Sequence, residues 1–475
     1  ALYFATRLYF GRLAGILASF FLATSYWHVT LSRTGFRAIL IPLFVAAFTA
    51  FVGYTISAVK RGKKVQSYLF AALAGATFFG GFYTYIAYRV MVGVVFGILF
   101  LLLLAALHPN IGFPHMRRYG RQTLVGLLVG VLVLSPLGWY FIQHPEAFVG
   151  RAEQVSIFNP DLQREYGGGT LHGTLLFSLR ETLLSFFVGE GDTNWRHNVA
   201  GFPLLNPVVG LLFLLGLAWT FHGTVAVFWN IVRGREIHLG MVYPYVLLLM
   251  LGMLLPIITT AEGIPHGLRS VGLIVPIFLL AGTAGSVIVH WISRKVSSPA
   301  RGVFLGIVAG LLVLSALYDG ALYFIVARQN SGAAYAYRSD LTEVAAWLRR
   351  YAAEHPEGPR PHLVLDAFSR QTIHFLTSVE AHNYQSHPDE ERHIYQSVDP
   401  ATSHLVQLAP GDIIIFTQST IPVDPERFEQ VKRNTVELVE IKYNRFGQEI
   451  MRIYRVRDSG QQRSAPQTEE FNLDA

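Results

Sequence analysis

Residues 247–282 read LLLMLGMLLPIITTAEGIPHGLRSVGLIVPIFLLAG. Two apolar runs, LLLMLGMLLPII and VGLIVPIFLLAG, flank a short polar stretch, AEGIPHGLRS. A charged side chain at the centre of a bilayer costs at least ~2.5–3.5 kcal/mol. Glu262, His266 and Arg269 therefore belong at the ends of helices, with Pro265 and Gly267 punctuating the turn between them. The stretch predicts two membrane helices joined by a polar loop.

The rest of the chain supports that reading. Its 475 residues are 52% hydrophobic and 15% charged, with mean hydropathy +0.38. A soluble domain carries about 25% charge. The net charge of +7 fits the Lys/Arg bias of cytoplasmic loops. No basic run with interleaved aromatics is present, so a nucleic-acid partner is not expected. The absence of Cys excludes thiol chemistry and thiolate metal sites. No charged n-region followed by an A-x-A-like cleavage site marks a signal peptide at the start.

Apolar runs predict about nine spanning helices, each of roughly 20 residues. They lie near 9–27, 37–59, 67–82, 88–107, 122–141, 204–222, 241–258, 271–291 and 302–320. The loops between them alternate in charge. One set carries Lys60, Arg61, Lys63 and Lys64, then Arg117, Arg118 and Arg121, then Arg233 and Arg235, then Arg294, Lys295 and Arg301. The short loops of the other set carry fewer: Arg33 and Arg37, then Arg89, then Arg269. By the positive-inside rule the first set is cytoplasmic, and AEGIPHGLRS faces outward.

Two regions do not read as spans. Residues 142–203 form a long outer loop in which LHGTLLFSLRETLLSFF predicts a helix lying in the membrane interface. From about residue 321 the composition turns charged. SDLTEVAAWLRRYAAEH predicts a helix with Ser339 or Asp340 at its N-cap and Glu343 closing a capping box. HLVLDA, DIIIFT, TVELVEIKY and EIMRIYRV predict strands, with NRFGQ as a hairpin turn between the last two and helical pieces near 370–378 and 424–432. Residues 321–457 thus read as an extracytoplasmic α/β domain, followed by a disordered tail, 458–475. The fold class is a polytopic α-helical membrane protein with a C-terminal α/β domain.

Four polar clusters fall on the outer side. YWHVTLSRTGFR, residues 26–37, brings His28, Arg33 and Arg37, which either clamp a phosphate or snorkel to lipid headgroups. YTYIAYR, residues 83–89, brings Tyr85 and Arg89. GDTNWRHN, residues 191–198, brings Asp192, Arg196 and His197, either for a polar ligand or as turn formers. Its spacing matches no metal motif such as HExxH, so no metal is expected. In the fourth, AEGIPHGLRS, Arg269 sits in a first helical turn, where the helix dipole disfavours a cation. That points to an anionic partner, either Glu262 or a ligand phosphate. His266 beside them holds a proton or caps. No Walker A or Gly-rich nucleotide loop is present, so the substrate is expected to carry its own energy.

These motifs, in this order, resemble the membrane-integral glycosyltransferases with the GT-C fold. The likeness is to bacterial family-39 enzymes, relatives of protein mannosyltransferases and aminoarabinose transferases. It rests on FGRLAGILASFFLATSYWHVTLSRTGFRA, LAGATFFGGFYTYIAYR, FIQHPEAFVGRAEQVSIFNP, GDTNWRHNVAGFPLLNPVVGLLFLLGL and EGIPHGLRSVGLIVPIFLLAG, and covers residues 7 to about 330. The resemblance implies an inverting transferase in the bacterial inner membrane. It would move a sugar from a polyprenyl-phosphate donor to a protein, lipid or glycan acceptor on the outer face, with no cofactor. Arg269, with Arg33, Arg37 and Arg89, would then neutralise the lipid phosphate. Glu262 would orient Arg269 or an acceptor hydroxyl, and His266, Tyr85, Asp192, Arg196 and His197 would line the pocket. The family's catalytic base is an acidic residue, usually Asp, in an earlier outer loop. The match here begins after that loop, so the base is expected upstream of Ala1 and the sequence is expected to be an inactive fragment. The competing expectations are a transporter or flippase of a lipid-linked substrate, and a non-catalytic membrane subunit.

Overall fold

The computed structural model describes residues 1–108, 110–111, 114–148, 155–235, 240–261, 263–378, 393–421, 428, 432 and 435–457. Glu262, most of the piece near 424–432 and the tail from Asp458 lie outside the described residues. The chain divides into two units, Ala1–Arg328 and Gln329–Ala475.

The first unit is helical. Among the described residues, seven of its helices are long and apolar enough to cross a membrane: Arg37–Lys60, Lys64–Tyr83, Ile86–Leu107, Arg118–Gln143, Pro207–Val232, Arg269–Lys295 and Ala300–Val326. An eighth crossing is available if the bent pair Arg12–Thr24 and Tyr26–Thr34, which meet at 59°, counts as one span. The sequence expectation of one straight helix near 9–27 therefore needs correction. The chain breaks at Gly11, whose φ of 94° suits only glycine, and again at Ser25, an extended residue whose hydroxyl accepts from the His28 N–H. The segment expected near 241–258 forms the apolar helix Val242–Ile258, whose 17 residues put it at the lower limit of spanning length. In the long loop between the spans, Leu171–Ser185 is helical as expected, with Thr170 as its cap.

Ile274–Lys295 is the axis of this unit. Every residue from Ile274 to Ser286 is buried, and the helix packs against Arg12–Thr24 and Pro207–Val232. Small residues set that approach. A Cβ on Gly282 would lie 2.5 Å from the Ala18 nitrogen and 2.7 Å from the Ala14 carbonyl oxygen. Those neighbours are backbone and cannot rotate away. Gly282→Ala is expected to force the two helices apart, at about 1–3 kcal/mol, and to lower the Tm of the detergent-solubilised protein by several degrees. An unchanged Tm would show that the pair has slack. By contrast, Arg118–Gln143 and Ala300–Val326 keep Leu128, Leu132, Val313 and Leu314 exposed, as lipid-facing helices do.

Among the described residues, the second unit is a five-stranded sheet with two helices on one face. The strands are β1 (His362–Val364), β2 (Gln396–Val398), β3 (Ile413–Thr417), β4 (Val436–Tyr443) and β5 (Glu449–Val456). Their order is β2-β1-β3-β5-β4, with β1 parallel to β2 and β3, and β5 antiparallel to β3 and β4. Alternation sorts the side chains. Ile413 and Ile415 join Leu341, Val344 and Ile373 of the helices, while Ile414 and Phe416 join Val364, Phe428 and Tyr454. The helix Asp340–Glu354 has Ser339 at its N-cap, but Ser339 makes no side-chain capping bond. Asp340 instead holds Arg338 through two bonds of 3.0 and 2.9 Å. Strand β2 has no counterpart among the sequence expectations, because three residues are too few to show a period.

One titration follows from this unit. Burial, His393 and Arg370 push His374 down to about 4, and its Nδ1 lies 2.7 Å from the Tyr395 hydroxyl. The unfolded chain takes up that proton near the ordinary 6.5. Between these values the unfolded state binds more protons, so stability is expected to fall as pH drops from 6.5 to about 4 and to level off below. Amide hydrogen exchange in β1 and β3 across that window measures it, and protection independent of pH would contradict it.

Candidate functional site

Three spanning helices begin on short 3-10 turns, and each turn carries an arginine. They are Arg37–Ile39, Ile86–Arg89 and Arg269–Leu273. The Arg269 turn packs against both of the others. The heads of the spans Arg37–Lys60, Ile86–Leu107 and Arg269–Lys295 therefore meet at one end of the bundle. Lys60, Arg61 and Lys295 sit at the opposite ends of these helices, as the alternation of loop charge requires. A helix head presents unpaired N–H groups and the positive pole of its dipole. An arginine there adds to that charge instead of balancing it, and three such heads together make this end strongly attractive to anions.

The arginines differ in their settings. Arg269 is buried, 7% exposed, and its Nη1 donates to the Thr260 hydroxyl at 3.0 Å. Arg89 is half-buried; its guanidinium donates to the Phe148 carbonyl at 2.6 Å and lies 4.0 Å from the Phe148 ring centroid. Arg33 is exposed and donates to the Tyr323 hydroxyl at 3.4 Å. Arg37 is exposed at the start of its turn. Tyr85, just before the Arg89 turn, is partly buried against the helical core.

Beside the Arg269 turn, two loops far apart in sequence are locked together. The Asp192 carboxylate accepts from the Asn194 N–H at 2.8 Å, the Gly267 N–H at 2.7 Å and His197 Nδ1 at 2.9 Å. Burial alone would raise its pKa, but these hydrogen bonds more than offset that and hold it below the ordinary value. The Asn198 amide ties the same loop to the Asp192 and Phe202 carbonyls. Trp27, fully buried, donates to the Gly267 carbonyl at 3.4 Å and meets Phe186 edge-on. The Thr34 hydroxyl donates to the Arg196 carbonyl at 2.8 Å, while the Arg196 side chain is exposed. On the far side, Ala261 N–H donates to the Val155 carbonyl and Ile157 N–H to the Thr259 carbonyl, pairing the long loop with the stretch that leads into Arg269.

His266 stacks on His197 with ring centroids 4.7 Å apart. Burial, the Arg269 guanidinium and His197 push its pKa down to about 3, so it is neutral at pH 7. Asp192, His197 and His266 are thus brought together, and Arg269 lies near enough to His266 to act on its charge. Sequence reasoning named these residues but missed Trp27, Asn198, Thr260 and the Gly267 amide. A backbone N–H leaves no mark in a sequence, although Gly267 itself carries one. A Cβ there would come within 3.3 Å of the Asp192 carboxylate and 3.2 Å of the His197 carbonyl. A separate cavity of about 130 Å³, lined by Tyr9, Phe48, Thr49 and Tyr245, is almost wholly apolar and contains none of these residues.

The fold and the site define a polytopic helical membrane protein with a cationic end where three helix heads converge. No family model and no curated protein matches the chain. Among solved structures it is similar to ArnT from Cupriavidus metallidurans, crystallised with undecaprenyl phosphate. The identity is 11%, over 95% of this chain and 81% of that one, with a TM-score of 0.41. A likeness of that degree fixes neither family nor reaction.

Proposed function

We propose that this chain binds a polyprenyl-phosphate-linked sugar at the convergent helix heads and serves its transfer to an acceptor on the outer face of a bacterial inner membrane. The observation that carries the reading is the packing of the Arg269 turn against the Arg37 and Arg89 turns. A lipid phosphodiester at the membrane boundary, singly charged in the donor and gaining a second charge as the phosphate departs, is the ligand whose charge suits three arginine-bearing helix heads. The resemblance of the quoted motifs to GT-C enzymes supports a donor-phosphate role for the same arginines, and the distribution of loop charge supports an outward orientation of this end. On this reading the arginines stabilise the departing phosphate, and the α/β unit, itself extracytoplasmic, serves the acceptor.

The test uses the purified chain in detergent with undecaprenyl phosphate as the probe and undecaprenol as its control. The phosphate is expected to bind about tenfold or more tightly than the alcohol, the worth of about one to two charge-assisted hydrogen bonds. Equal affinity for the two lipids would remove the phosphate site and the reading with it.

A further inference from the structure

We infer that Asp192, His197 and His266 form a divalent-cation site, suited to Zn2+, where the two loops cross. Their donor atoms lie within 4.8 Å of one another, and Asp192 and His197 are buried. Two imidazoles and one carboxylate, with a fourth position left open, are a common zinc donor set. The ring atom His266 Nδ1 is buried and has no hydrogen-bond partner among the described residues. A buried, unpaired imidazole nitrogen is costly, and a cation supplies what it lacks. No ordinary hydrogen-bonding role among the described residues explains why it is held against His197 and not turned to water.

The surroundings fix the donors. Gly267 N–H and Asn194 N–H hold the two oxygens of Asp192, which is how ligating carboxylates are oriented in metal sites. Binding exchanges the 2.9 Å hydrogen bond between His197 and Asp192 for two metal bonds. His197 then offers Nδ1 to the ion and carries its proton on Nε2. The rings now stack at 23°, and they must turn for both nitrogens to face the ion. The carboxylate cancels one of its two charges, and Arg269 nearby leaves the spot net positive, so the open position takes water or an anion. The spacing of GDTNWRHN conceals all this, because the third donor comes from a loop about seventy residues later. The inference stands on these three side chains and does not depend on the transferase reading.

The test uses the full chain, stripped with chelator, desalted and titrated with Zn2+ alone. About one zinc per chain is expected to survive a second desalting, and Co2+ alone should give the visible absorption of a low-symmetry site. His197→Ala and His266→Ala are each expected to weaken zinc binding at least about tenfold. Zinc retained equally by the double variant would place it elsewhere and overturn the site, as would a wild-type chain that retains none. In case the variants misfold, the wild type alone gives a second reading. Zn2+ is expected to raise its Tm where Mg2+ does not, and no difference between the two ions counts against the site. Lipid-phosphate binding measured with chelator present keeps the two proposals apart. Its loss without loss of zinc binding defeats the donor reading only.

Discussion

Arg269→Ala, made in the intact protein that carries the expected acidic loop, is expected to cut sugar transfer by at least about 100-fold and the affinity for undecaprenyl phosphate by about tenfold or more. The difference between these figures has a physical source. A guanidinium that meets the phosphate in the bound donor contributes to binding. The same group contributes more as the phosphate departs, because its charge grows in the transition state. The loss should therefore appear mainly in kcat. Arg269→Lys keeps the charge but not the planar fork, and should recover part of the binding and less of the rate. A structural role makes a different forecast. Arg269 is buried and donates to Thr260, so its removal also disturbs the turn. Thr260→Val removes that hydrogen bond and leaves the guanidinium in place. If Arg269 merely held the turn, Thr260→Val would reproduce much of the Arg269→Ala defect and both would lower Tm. On the proposed reading Thr260→Val costs little transfer. Arg89→Ala should cost less than Arg269→Ala, because the Arg269 turn is the one that packs against both of the others and Arg269 is the more buried of the two.

The membrane helices were legible because apolar runs of spanning length have few alternatives in water. Arg269 was legible for a related reason: a cation at a helix head opposes the dipole, and the structure keeps it in the first turn of its span. What the sequence concealed was adjacency. Nothing in YIAYR or GFRAIL says that both turns pack on the one carrying Arg269, because loops separated by many residues meet only through helix packing. The break at Ser25 was hidden too. The first span was expected to run near 9–27 without a break, and the bend depends on a single extended residue capping the next helix. Asp192 read equally well as a turn former or a ligand group. The structure shows it doing a local turn's work through Asn194 while also gripping Gly267, and only the second of these joins the loops.

That grip makes Asp192→Ala the other change of large expected effect. The substitution leaves the Asn194 and Gly267 N–H groups and His197 Nδ1 without their acceptor, in a place that is 5% exposed at residue 192. Each unsatisfied buried group costs about 1–3 kcal/mol, so two backbone amides alone amount to several kcal/mol. The helical bundle should survive, because its core residues lie elsewhere, and the damage should be local. Hydrogen exchange at Gly267 and Asn194 is expected to accelerate by about 100-fold or more, while amides in Ile274–Lys295 keep their protection. Asp192→Asn does not repair this. Its amide offers one acceptor oxygen and turns an N–H2 donor towards either Asn194 N–H or Gly267 N–H, donor against donor. It should recover one of the two backbone bonds and leave the other exchanging fast. If both amides stay protected in Asp192→Ala, the loops are held by Trp27 and Asn198 instead, and Asp192 is then free for a ligand with no structural duty to share.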